Sequence, residues 1–198
     1  MSVRRIVLAS NNAAKLREMS LMLQGSVWGL VAQGQFGVAA ADEPHPTFIE
    51  NALAKARHAS VSTGLPALAD DSGLCVDALN GGPGVFSARF AGESANDQSN
   101  NAELLRRLAA VTDRQAHYTC VLVAVRSADD AEPLMVDARW DGEIAQVARG
   151  EGGFGYDPVF YLSDLGVTAA ELDPAHKNRI SHRGLALQAL MRKLAEWR

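Results

Sequence analysis

Within its first 24 residues this chain changes the period of its apolar pattern. "RRIVLA" is a contiguous run, with Ile6, Val7 and Leu8 adjacent, and reads as a buried strand. From Lys15 to Gln24 the apolar residues Leu16, Met19, Met22 and Leu23 recur at helical spacing, and Gly25 is placed to end the helix. The turn between them is "SNNAAK", residues 10–15. A strand that passes this directly into a helix buries a face of each. That restricts the chain to folds that layer helices on a sheet.

The two periods keep alternating. "GLVAQG" is expected to be a second strand. "PTFIENALAKARHASVSTG" carries the clearest helical signal: Thr47 and Glu50 have capping-box spacing, Phe48, Ala52, Ala56 and Ala59 share a face, and Gly64 ends the run. "LPALAD" is expected to be a strand ending at the acidic pair Asp70 and Asp71, with "GLCVDAL" a separate strand beyond a turn. "NDQSNNAELLRRLAAV" reads as a helix with Leu104, Leu105 and Leu108 inward, and "AHYTCVLVAVRS" as a strand. "PLMVDARWDGEIAQVA" is expected to be two strands joined in a hairpin at Asp141-Gly142. "DPVFYL" is a short strand, and "NRISHRGLALQALMRKLAEW" one terminal helix. There is no repeat, no low-complexity tract and no strict βαβ rhythm. A mixed sheet with helices packed against it follows, and residues 1–198 form either one large domain or two closely joined lobes of one domain.

Apolar residues make up 47% of the 198, enough for a sizeable core. Acidic residues (23) exceed basic ones (19), which argues against a broad duplex-DNA surface but leaves room for a small anion held by local cations. Cys75 and Cys120 match no paired-cysteine motif and read as buried thiols in a reducing compartment. The five histidines lack zinc-ligand spacing. The N-terminal apolar run is too short for a signal peptide, and no stretch reaches the ~20 apolar residues of a membrane span. A soluble cytoplasmic protein with no nucleic-acid or membrane partner is expected.

Several stretches carry chemistry. A helix N-terminus attracts anions through its exposed N–H groups and dipole; in "SNNAAK" Ser10 and Asn12 add hydrogen bonds and Lys15 a full charge. The alternative is an ordinary capped helix. A phosphate loop of the Gly-x-x-x-x-Gly-Lys-Ser/Thr type is absent from the chain. "GEGGFG" matches Gly-x-Gly-x-x-Gly, but Pro158 and the aromatic residues after it favour extended chain, not the helix a dinucleotide fold requires. It reads as a flexible loop, or as backbone that yields to a flat ligand beside Phe154 and Tyr156. "ADDSG" offers two carboxylates suited to Mg²⁺ or to directing a water, or else a solvated turn. Asp42 and Glu43 in "ADEPHP" are either helix-dipole partners or a further metal ligand. "HKNRISHRG" gathers Lys177, Arg179, His182 and Arg183. Cations that open a helix oppose its dipole unless a ligand's anionic or carbonyl groups offset the cost.

Taken in order, "SNNAAK", "TFIENALAKARHA", "ADDSGLCVDALNGGPGVFSARFAG", "GGFGYDPVF" and "KNRISHRG" closely resemble the inosine/xanthosine triphosphatase family of purine nucleoside triphosphate pyrophosphatases, from about Val3 to Leu190. The resemblance implies an elongated α/β fold with a mixed sheet flanked by helices, two lobes and a central nucleotide cleft. It implies a Mg²⁺-dependent homodimer that hydrolyses ITP, dITP and XTP to nucleoside monophosphate and pyrophosphate. The family's triphosphate loop falls on Ser10, Asn11, Asn12, Ala13, Ala14 and Lys15. Its catalytic, metal-binding aspartate falls on Asp71, followed by Ser72. Its second metal acid falls within "ADEPHP", which departs from the family's usual Glu-Glu-Thr-Gly, so Asp42 and Glu43 compete. Lys55 matches a phosphate-reaching lysine. Phe154, Gly155, Tyr156 and Asp157 match the base-sandwich loop, and Lys177, His182 and Arg183 the base-recognition residues. Three other readings compete: a pyrophosphatase for modified pyrimidines, a non-catalytic nucleotide sensor, and a single-strand nucleic-acid binder.

Overall fold

The computed structural model describes residues 3–197. Seven strands form one open mixed sheet: β1 (Arg4–Leu8), β2 (Trp28–Ala32), β3 (Ala67–Val76), β4 (Gln115–Val125), β5 (Leu134–Ile144), β6 (Phe160–Leu162) and β7 (Val167–Thr168), in the order β2-β1-β3-β4-β5-β6-β7. β1 runs parallel to β2 and β3; β6 runs antiparallel to β5 and β7. Five α-helices accompany it: α1 (Ala13–Met22), α2 (Phe48–Thr63), α3 (Asp97–Arg107), α4 (Pro174–Ile180) and α5 (His182–Leu194). The α/β class and mixed sheet read from the sequence are therefore those of the protein.

The chain divides into two compact units. The first holds the chain up to Asp71, Cys120–Asp137 and the chain from Leu185. Its core sets Ala52, Ala56 and Ala59 of α2 against Val7, Ala67, Ala69, Val121, Val123 and Val125. Small residues on the helix and β-branched ones on the strands let α2 lie close to the sheet. The second unit holds Ser72–Thr119 and Ala138–Gly184. Its core is larger in side chain, built on Leu74, Leu104, Leu108, Tyr118, Trp140, Tyr156 and Phe160. Tyr118, Trp140 and Phe160 meet at centroid distances of 4.6–6.3 Å.

Three expectations from the sequence fail here. "LPALAD" and "GLCVDAL" are one strand, β3, so Asp70 and Asp71 lie within a strand and not at its end. They are 1% and 6% exposed, which also removes the solvated-turn alternative. Asp141-Gly142 makes no hairpin; β5 runs straight through it. A Cβ on Gly142 would lie 2.7 Å from both Phe160 Cζ and the Tyr161 carbonyl, so this glycine marks the close passage of β6, not a turn. The terminal helix is two helices, because Ser181 is extended (φ −71°, ψ 159°). A Cβ on Gly184 would sit 1.9 Å from the Asn178 carbonyl oxygen, so the break needs glycine at its inner corner. Lys177 and Arg179 consequently lie in the last turn of α4, where the dipole favours cations; only His182 and Arg183 open a helix. Cys120 is buried, Cys75 is only partly so, and neither is disulfide-bonded. Among the described residues no helix is long and apolar enough to cross a membrane.

Candidate active site

In the first unit, Asn12 caps α1: its Oδ1 accepts the N–H groups of Ala14 and Lys15 at 2.9 and 3.1 Å. Ser10 Oγ accepts from Asn12 N, and Asn11 Oδ1 accepts from Gln33 Nε2. The turn is thus held by its own side chains, which leaves Lys15 Nζ as its cationic tip. That ammonium pairs with Asp70 at 2.8 Å. Lys55, buried on α2, donates to Glu43 at 2.7 Å and to Asp71 at 2.8 Å. Glu43 and Asp71 thus meet on the Lys55 ammonium, and Asp70 pairs with that of Lys15.

The electrostatics follow from these pairings. Burial alone would lower the Lys55 pKa, but the charges of Asp71, Asp70 and Glu43 outweigh it and hold the ammonium above its usual value. Burial raises the Asp71 pKa, and Lys55 offsets this only in part. Asp71 Oδ2 is buried without a hydrogen-bond partner. A buried carboxylate oxygen left idle is costly, and a cation is the group that would satisfy it.

Glu43 reaches this cluster, whereas Asp42 is exposed. The segment bearing them is fixed by α2. Asn51 Oδ1 accepts from His45 N, and its amide donates to the His45 carbonyl. Among the described residues no three acidic, histidine or cysteine side chains come together as a metal cage. Mg²⁺ usually takes one or two protein carboxylates and completes its shell with water and phosphate, so Glu43 and Asp71 around one ammonium fit it.

In the second unit, Lys177 Nζ donates to Asp157 Oδ2, and both side chains are buried. Asp157 Oδ2 also accepts the Phe154 N–H at 2.8 Å. The half-buried Phe154 ring faces Lys177 Nζ at 5.0 Å and the Arg183 guanidinium at 5.3 Å. Arg183 donates to Ser72 Oγ at 3.0 Å. His182 stacks on Tyr118 at 4.5 Å with planes 7° apart. Tyr156 donates to the Ser87 carbonyl at 2.8 Å and is buried, so it braces the loop and does not present its ring to solvent. "HKNRISHRG" is no solvated turn: Lys177, His182 and Arg183 are all buried, and only Arg179 is exposed. The glycines of "GEGGFG" mostly answer to the protein itself. A Cβ on Gly150 or Gly152 would fall 2.7 Å from the Ala170 backbone. No helix follows this loop, in line with the rejection of a dinucleotide fold.

A sequence profile of the Ham1 family matches residues 6–193. The chain belongs to the Ham1 family. It is 60% identical over 197 residues to a dITP/XTP pyrophosphatase of Burkholderia pseudomallei, covering 98% of this chain and 95% of that one. It is 57% identical to the protein of the same name from Nitrosomonas europaea, covering 97% and 95%. Among solved structures, a HAM1 protein from Coxiella burnetii superposes with a TM-score of 0.93 at 49% identity, covering 98% of this chain and 99% of that one.

For a Ham1 chain, four side chains matter here that sequence reasoning left out of the site. Asp70 was visible as half of an acidic pair, but its partnership with Lys15 depends on β3 passing beside α1. Asn51 sits in the capped helix with no local signal for its clasp on His45. Asp97 and Asn101 of α3 bond to Gly155, more than fifty residues away, and no spacing rule reaches that far.

Proposed function

We propose that this Ham1-family protein hydrolyses deaminated purine nucleoside triphosphates (ITP, dITP and XTP) to the monophosphate and pyrophosphate, with Mg²⁺ as cofactor. The observation that carries the reading is the pair of carboxylates, Glu43 and Asp71, that meet on buried Lys55, with Asp71 Oδ2 buried and without a hydrogen-bond partner. The relatives' names supply the substrate class.

Ser10, Asn12 and Lys15 hold the triphosphate, and Lys55 keeps Asp71 aimed. Glu43 and Asp71 would hold the metal, which when bound would neutralise phosphate charge. Asp71 orients the attacking water and takes its proton as the α–β anhydride bond breaks and pyrophosphate leaves. Phe154 stacks on the base. Arg183 and the His182 backbone donate to the 6-carbonyl of hypoxanthine or xanthine, while adenine's amino group would leave those donors unpaired. The same reading takes the protein to be a homodimer acting on the cytoplasmic nucleotide pool.

The test is pyrophosphate release from ITP, XTP, GTP and ATP, each with Mg²⁺ and with EDTA. Fast, metal-dependent release from ITP and XTP alone is expected. Activity on none of them returns the protein to the sensor or pyrimidine readings. Equal activity on ATP removes Phe154, His182 and Arg183 from base selection.

A further inference from the structure

The loop that carries Phe154 is rich in glycine. Gly150, Gly153 and Gly155 are all left-handed, and Gly155 has no atom within 4 Å of where a Cβ would stand. At Gly155 no side-chain packing fixes the course of the backbone. There the hold on the residue next to Phe154 comes from α3. Asp97 Oδ2 accepts the Gly155 N–H at 2.6 Å, and Asn101 Nδ2 donates to the Gly155 carbonyl at 2.9 Å. Both hydrogen-bonding groups of one residue are thus taken by one helix.

That helix is capped and anchored. Asn96 and Ser99 close a capping box at its start, and Leu104 and Leu108 anchor it in the core. Its Asn100 clasps the 88–91 turn, donating to the Ala88 carbonyl and accepting from Ala91 N. Asn101 is itself buried, and its Oδ1 has no hydrogen-bond partner. Its side-chain amide is committed instead to the bond it donates to the Gly155 carbonyl.

We infer that Asp97 and Asn101 are positioning residues for base selection. They pin the Gly155 backbone and so set the attitude of the adjacent Phe154 ring. This rests on the pyrophosphatase reading of the Phe154 loop and extends it to residues that touch no substrate.

The experiment compares wild type, Asp97→Ala, Asp97→Asn and Asn101→Ala in steady-state hydrolysis of ITP and ATP, with thermal unfolding of each and amide exchange across residues 150–157. Asp97→Ala and Asp97→Asn both remove the charge at the start of α3, but only Asp97→Asn keeps an acceptor for Gly155. Asp97→Ala is expected to raise KM for ITP about tenfold, the scale of one lost hydrogen bond to a charged group. It also narrows the ITP/ATP ratio, speeds exchange in the loop and leaves kcat nearly unchanged. Asp97→Asn restores most of this. Asn101→Ala acts like Asp97→Ala and carries the test if that variant does not fold. Wild-type KM in both alanine variants overturns the inference alone, as does Asp97→Asn behaving no better than Asp97→Ala. Wild type inactive on ITP overturns the pyrophosphatase reading and this inference with it.

Discussion

The Lys15–Lys55 region and the Phe154–Arg183 region are both buried and both rich in cations, yet they are made differently. The first is a charge network: two ammonium groups divided among Asp70, Asp71 and Glu43, with Asp71 Oδ2 buried and without a hydrogen-bond partner. The second is chiefly a stacking arrangement, in which Phe154 and His182 are fixed by neighbouring cations, Tyr118 and backbone clasps. A buried network of paired carboxylates and ammonium groups is suited to receiving a cation and directing chemistry. A braced ring is suited to selecting a flat ligand. On the proposed reading, the difference separates turnover from selection.

The largest effect expected on that view is at Asp71. Asp71→Asn keeps an oxygen for Lys55 but removes the charge, and should cut kcat by roughly 10²–10⁴, the usual worth of a positioned general base. ITP binding should persist; lost binding with normal turnover of what does bind would contradict the assignment. Phe154→Ala should act on the other property. It should raise KM for ITP roughly tenfold to a hundredfold, since one base–aromatic stack is worth ~1–3 kcal/mol. A loss confined to kcat would mean the two regions are not separable.

Gly184→Ala probes the break between α4 and α5. The added methyl would meet the Asn178 carbonyl, and destabilisation of about 1–3 kcal/mol is expected from overpacking of this kind. Denaturant unfolding measures it, and an unchanged midpoint would show that the break relaxes freely. The smallest effect lies on α3. Glu103 is held down to about 2 by hydrogen bonds from Arg106 and then Arg107. A carboxylate depressed on folding stabilises above its unfolded pKa, near 4.5, and that contribution fades as pH falls toward 2. Glu103→Gln should therefore lower Tm slightly at pH 6 and by less at pH 2.5. An equal difference at both would remove the charge pairing as its cause.

Local signals carried a good part of this. The period change after Leu8, the Thr47–Glu50 cap and the alternating valines of β4 each named an element that is present, because helix and strand periods are properties of short segments. The errors arose where a local signal served a distant contact. Gly142 looked like a turn and is a passage for Phe160. The Asp70-Asp71-Ser72-Gly73 stretch looked like a strand end and continues as strand. Glycine and aspartate are common in turns, but they are equally what a chain needs where another strand crowds close or a lysine must be paired.

By itself, then, the sequence determined the α/β class, the helix caps and which side chains have the chemistry for a phosphate-handling site, since these depend on residue type and short spacing. Only the tertiary structure decided that Glu43 and not Asp42 stands on Lys55, that Asp70 takes Lys15, and that Asp97 and Asn101 grip Gly155. Those pairings join residues 12 to 58 positions apart, and such distances close only when the sheet brings their elements together.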